Sequence, residues 1–162
     1  MNQPKTYRLK DISGRHYTAY SSDIIEAAQH CIRESFATGK ALTSPRDATQ
    51  YCQVLLAGKD KEVFYAIWLN TQHQVVKAEE LASGTLGSAQ VYPREVIKAG
   101  LACNAAAVIF AHNHPSGSSE PSIADKEITK RLSKALSLID IRVLDHFIVA
   151  RDTTSFAELG LL

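Results

Sequence analysis

The chain has 162 residues, 45% of them hydrophobic and 22% charged, which suits one globular domain with a short appended segment and excludes a disordered chain. Its formal net charge of +1 argues against a broadly basic nucleic-acid surface and leaves room only for a local patch. The N-terminus lacks the apolar stretch of a secretion signal, and the longest apolar run, Ala105 to Ala111, is too short to span a bilayer, so a soluble, cytoplasmic protein without membrane contact is expected.

Residues 6–20 read as a short strand pair turning at Ser13-Gly14. Asp23 to Phe36 follows as a helix, with Ile24, Ile25, Ala28, Cys31, Ile32 and Phe36 at helical spacing and Gly39 after its end. A second helix starts at Ser44-Pro45-Arg46-Asp47, where a capping serine precedes a proline at the first helical position, and it stops near Gly58. Glu62 to Leu69 is rich in β-formers, and after a turn at Asn70-Thr71-Gln72 a partner strand runs from Gln74 to Leu81, broken by Gly84 to Gly87.

Pro93 opens a helix whose buried face is expected to hold Val96, Ile97, Ala99, Gly100 and Leu101. Ala105 to Phe110 is apolar throughout, as a strand covered on both faces would be. After a Pro/Ser/Gly loop, a helix begins at Ser122 and turns Ile128, Leu132, Ala135, Leu136 and Ile139 inward; Ile141 to Ala150 is expected as the last strand. Interleaved strands and helices of this kind predict a mixed α/β (α+β) sheet with helices packed against it. The three cysteines, Cys31, Cys52 and Cys103, are widely spaced and odd in number, so packed, reduced thiols are expected.

Chemistry concentrates between Phe110 and Asp125. His112 and His114 stand two apart at the end of a strand, so their imidazoles share a face while Asn113 points the other way. Two such nitrogens can bind one zinc at about 2.0–2.1 Å, and Asp125, returned by the loop, supplies a third ligand. A fourth position is then left for water, whose pKa on zinc falls to about 7. Ser122-Ile-Ala-Asp125 is equally a capping box, and capping and chemistry can coexist.

Two lookalikes fit less well. The letters His-Asn-His name a nuclease class whose residues are dispersed over a larger unit, and non-haem iron oxygenases place their acid two residues after the first histidine. A hydrolase also needs a general base, for which Glu62, alternating with apolar Phe64, Ala66 and Trp68 along a strand, and Glu95, in a helix first turn, are both candidates.

His112-x-His114, seven residues, Ser122, two residues and Asp125 resembles the JAMM motif of the MPN/JAB metallopeptidase domain. The wider text resembles the RadC family within it, through Glu62-Val-Phe, Pro93-Arg94-Glu95, His112-Asn-His-Pro-Ser-Gly117, Pro121-Ser122, Asp125, Leu144-Asp-His146 and Phe156-Ala-Glu-Leu-Gly160. The resemblance runs from about residue 42 to the C-terminus, dividing the chain into an N-terminal extension of unknown role, 1–41, and a JAB/MPN (RadC-like) metallopeptidase domain, 42–162.

That resemblance implies a JAB/MPN-like (cytidine deaminase-like) curved mixed sheet flanked by helices. It implies one Zn2+ per chain on His112, His114 and Asp125, with Ser122 as a helper at the oxyanion. It places the catalytic glutamate at a strand start, which Glu62 matches better than Glu95. The implied activity is zinc-dependent cleavage of a peptide or isopeptide bond in an unknown protein substrate. The alternative, from the family's association with DNA repair, is a repair or recombination accessory that uses the fold for binding. Longer family members carry an N-terminal helix-hairpin-helix-like region that residues 1–41 do not match. Lys126, Lys130, Arg131 and Lys134 recur along one helix, a pattern typical of a solvated face, and DNA binding gains no support from charge. His146 reads as either a core histidine or a partner behind the site, and the sequence sets no oligomeric state.

Overall fold

The computed structural model describes residues 5–37, 41–84 and 91–162. Its first unit is an antiparallel hairpin of β1 (Thr6–Lys10) and β2 (His16–Tyr20). The Asp11 carboxylate closes the turn by accepting from the amide and hydroxyl of Ser13 and the amide of Arg15, and Gly14 takes the φ of 89° that the reversal needs. Helix α1 (Ser21–Ala37) begins two residues before the expected Asp23, whose carboxylate accepts from the Tyr20 amide behind it. The Gln29 side chain donates to the carbonyls of Val54 and Ala57, tying α1 to the end of the next helix. Of the inward residues expected on α1, Cys31 is instead exposed. The Phe36 side chain, Gly39 and Thr85 to Gly87 lie outside the described residues.

Helix α2 (Pro45–Leu56) starts as its sequence dictates: the Ser44 hydroxyl accepts from the Asp47 amide at 3.1 Å and Pro45 occupies the first turn. Then come β3 (Val63–Leu69), β4 (Val75–Ser83), α3 (Pro93–Ala102), β5 (Ala107–Asn113), α4 (Ile123–Ser137), β6 (Arg142–Val149) and β7 (Thr153–Ser155). The five-stranded sheet runs β4-β3-β5-β6-β7, with β5 and β6 parallel and the other pairs antiparallel. The mixed α/β class read from the sequence is the class observed. The sheet does not end at β6, however. Three residues, Thr153–Ser155, return against it as β7, too short and polar to announce themselves as a strand.

Strand alternation sorts the core into two layers. Val63, Ile67, Leu69, Ala107, Ile109 and Ala111 face α2, where Tyr51, Cys52 and Leu56 cover them. Phe64, Ala66, Trp68, Val108 and Phe110 face α3 and α4, meeting Val96, Leu132 and Leu136. Every residue of β5 is buried, as a central strand covered on both faces requires. The Cys52 thiol is inert in this setting, since burial and then the charge of Asp145 push its pKa far up.

On α3, Leu101 is 53% exposed rather than buried, because the helix turns its Gly100 face to the sheet. A Cβ at Gly100 would stand 2.8 Å from Ile141 Cδ1 and 2.9 Å from Trp68 Cζ3. We therefore expect Gly100→Ala to lower stability by about 1–2 kcal/mol in urea unfolding, because overpacking outweighs the roughly 1 kcal/mol of helix propensity gained.

Candidate metal centre

The last two core positions of β5 are polar, and alternation sends them to opposite layers. His112, fully buried, points to the α4 side, where Phe64 lies parallel to its ring with centroids 6.0 Å apart. Asn113 points to the α2 side. Its carbonyl oxygen accepts from the Val63 amide at 2.8 Å, and its amide donates to the carbonyls of Lys59 at 3.2 Å and Lys61 at 2.9 Å. One side chain thus fastens the loop on either side of which α2 ends and β3 begins, and that loop carries Glu62.

His114 leaves the strand with its amide on the Val149 carbonyl. Its Nδ1 donates to the Ser118 carbonyl at 2.7 Å, within a loop turned at Gly117 with φ 86°. A carbonyl only accepts, so neutral His114 presents a bare Nε2. That nitrogen lies 2.9 Å from His112 Nε2.

Asp125 arrives from α4. The capping box is complete: the Ser122 hydroxyl accepts from the Asp125 amide at 3.1 Å, and the Asp125 carboxylate accepts from the Ser122 amide at 2.8 Å. The same carboxylate faces the imidazoles, with Oδ1 at 3.2 Å from His112 Nε2 and Oδ2 at 3.6 Å from His114 Nε2. Cap and site therefore share one side chain. Burial would raise the Asp125 pKa, but the neighbouring His112 imidazole and the hydrogen bonding with Ser122 outweigh it and hold the carboxyl well below the usual range.

Glu62 sits half-buried just before β3, and one of its carboxylate oxygens lies within 4.8 Å of the ring nitrogens offered by His112 and His114. Glu95, the other candidate base, is elsewhere, half-exposed and paired with Arg94 at 3.2 Å and Lys98 at 3.1 Å. A cleft of about 590 Å³ opens onto the cluster, walled by Asp60, Glu62, His114, Pro115, Ser122 and Asp125. Its volume falls in the range of ordinary ligand clefts and exceeds what an ion alone would need.

Behind the cluster, His146 Nε2 meets His112 Nδ1 at 2.8 Å, and its Nδ1 meets the Thr129 hydroxyl at 2.6 Å. Phe156 packs on the His146 ring with centroids 4.7 Å apart. It is held there by Asp145, whose carboxylate accepts from the Ser155 hydroxyl and the Ala157 amide. His146 is thus at once a core residue and a partner of the site. Asn113 and Asp145 lie inside the motifs that carry the resemblance and Thr129 lies outside them, but none was legible as a site residue, because each bonds to a segment that only the fold brings close: Asn113 to residues 59–63, Thr129 to His146 and Asp145 to Ser155 and Ala157.

The donor set suits a divalent cation of zinc's preferences. Two nitrogens and a carboxylate oxygen approach one another at 2.9–3.6 Å, and two nitrogens on one tetrahedral zinc stand roughly 3.3 Å apart. Either carboxylate, Asp125 or Glu62, can complete the set with the two histidines.

Residues 42–161 match the family model described as a RadC-like JAB domain. The chain is similar to a UPF0758 protein of Vibrio cholerae, 48% identical over 144 residues, which covers 89% of this chain and 91% of the relative. It is 52% identical over 139 residues to a UPF0758 protein of Dechloromonas aromatica, and 51% over 140 residues to one of Thiobacillus denitrificans. It spans 62% of the length of each of these two.

Two measurements test the scaffold of the centre. Asn113→Ala strips three hydrogen bonds from the 59–63 segment and is expected to cost about 2–3 kcal/mol, read by urea unfolding. The second follows from His146, whose burial and then the neighbouring His112 push its pKa well below the ordinary 6.5, against a smaller opposing pull from Asp125. The unfolded chain takes up this proton near pH 6.5 while the folded chain does not. The stabilisation is therefore present above that pH and lost below it, by up to about 1.4 kcal/mol per pH unit. In chelator-treated protein, His146→Phe should flatten the decline between pH 6.5 and 5.

Proposed function

The chain belongs to the RadC-like JAB domain family, and from that premise we propose that it is a JAMM-type zinc metallopeptidase that hydrolyses a peptide or isopeptide bond in a protein substrate. The observation that carries the reading is the convergence of His112, His114 and Asp125 on one point beneath a cleft walled by a second carboxylate, Glu62.

In this reading His112, His114 and Asp125 hold one zinc per chain. Asp125 takes the ligand role over Glu62 because it is buried, anchored by the Ser122 amide and in contact with both imidazoles. When bound, zinc supplies Lewis acidity, polarising a carbonyl and lowering the pKa of water. Glu62, on the open wall, takes a proton from the attacking water and returns it to the leaving nitrogen. The Ser122 oxygen accepts from the Asp125 amide, which leaves its own proton to donate toward the oxyanion.

A second reading, nucleic-acid binding, is favoured by one surface. Cross-strand pairing puts Thr6, Arg8, Lys10, His16, Thr18 and Tyr20 on a single face of the β1–β2 hairpin, all six exposed and none acidic. Binding there would weaken steeply with salt and would fall with Arg8→Glu/Lys10→Glu, read by fluorescence anisotropy on a labelled oligonucleotide.

Elemental analysis by mass spectrometry decides the first reading. About one zinc per chain is expected, lost in His114→Ala and retained in Glu62→Gln. Glu62→Gln should abolish cleavage in a peptide-library screen, a drop of at least about 100-fold. A chain that neither contains zinc nor takes it up when supplied is not a zinc hydrolase.

A further inference from the structure

A carbonyl oxygen accepts hydrogen bonds and never donates one, and this fixes the direction of a buried chain behind the metal centre. The Thr129 hydroxyl lies 2.6 Å from the Asp125 carbonyl, one turn back along α4, so its single proton points there. Its oxygen also lies 2.6 Å from His146 Nδ1. With the threonine proton already used, His146 Nδ1 must carry the hydrogen of that contact. The His146 Nε2 is then bare, and His112 Nδ1, 2.8 Å away, must carry the next. What remains on His112 is an Nε2 lone pair aimed between His114 and Asp125.

Thr129, His146 and His112 are each fully buried, so no solvent can replace a partner that is lost. The His146 ring is walled by Phe64, Phe110 and Phe156, with centroids 5.2, 6.2 and 4.7 Å away, and has no room to turn out of line. The carbonyl that starts the chain belongs to the same residue whose carboxylate faces the cleft. One register of α4 therefore sets both the third ligand and the protonation pattern of the first.

We propose that Thr129 and His146 are positioning residues that hold His112 as an Nδ1–H imidazole, with its Nε2 lone pair committed to the point where His114 and Asp125 meet it. The proposal rests on the zinc reading for its purpose, while its geometry stands on the protein alone. A metal-binding histidine whose other nitrogen donates to a fixed acceptor gains orientation and basicity, and loss of such an acceptor typically weakens metal binding 10–100-fold.

Long-range proton–nitrogen NMR spectra of the full chain, labelled on histidine and treated with chelator, read the tautomers directly. Nδ1–H at both His112 and His146 is expected; Nε2–H at His146 overturns the assignment whether or not the protein binds metal. Zinc affinity, measured by competition with a chromophoric chelator, should fall about 10–100-fold in Thr129→Val and return in Thr129→Ser. Thr129→Val with unchanged affinity and unchanged tautomers also overturns the proposal. Wild-type protein that shows the assigned tautomers but takes up no zinc supports the hydrogen-bond direction and removes the metallopeptidase reading, so the two failures are distinguishable.

Discussion

The constraint on which the rest depends is the alternation of side chains at the C-terminal end of β5. Five apolar residues bury the strand on both faces, and then the pattern continues with two polar residues that have nowhere to go but into the same two layers. A buried polar group without partners is costly, so each layer must supply them. The α2 layer answers Asn113 with the backbone of residues 59–63, and the α4 layer answers His112 with His146 and Asp125. Fold stability and site geometry are consequently the same set of hydrogen bonds.

This explains why the centre draws on four separate stretches of chain yet is compactly fixed. Glu62 is placed by Asn113 through the loop it pins, Asp125 by the Ser122 cap, and His114 by the Ser118 carbonyl. His146 is placed by Thr129 on one side and by Phe156 on the other, the latter locked by the Asp145 carboxylate. Among the described buried side-chain nitrogens and oxygens, none lacks a hydrogen-bond partner. The hydrogen bonds behind and beside the donor atoms make the network rigid, and rigidity is what a site needs whose donor atoms must stay a few tenths of an ångström from their working positions.

Much of this was legible along the chain. The Ser44-Pro45 helix start, the buried run of β5, the turn that closes the strand pair at 6–20 and the capping box at Ser122 depend on neighbours one to four residues away, and local rules suffice for them. His112 and His114 were predictable as a pair because a strand's period is two. Less legible were elements whose reason lies elsewhere: β7 exists because Asp145 and β6 hold it, and Leu101 is exposed because Gly100 alone fits against Trp68 and Ile141. The choice between Glu62 and Glu95 as the carboxylate at the cleft was a question of distance, and no spacing rule measures distance across a sheet.

His146 marks the boundary most sharply. Between Val108/Val143 and Ile109/Asp145 the β5–β6 pairing slips by one residue, with Leu144 left over. A one-residue slip exchanges the two faces of a strand. Without it, Asp145 would stand opposite Phe110 on the α4 side and His146 opposite Ala111 on the α2 side, away from His112. By itself the sequence determined which side chains have metal-binding chemistry and that two of them share a strand face, because those facts follow from residue type and local period. Only the tertiary structure decided that a third histidine turns inward behind them, because a bulge is set by how two strands pack and not by the order of residues within either.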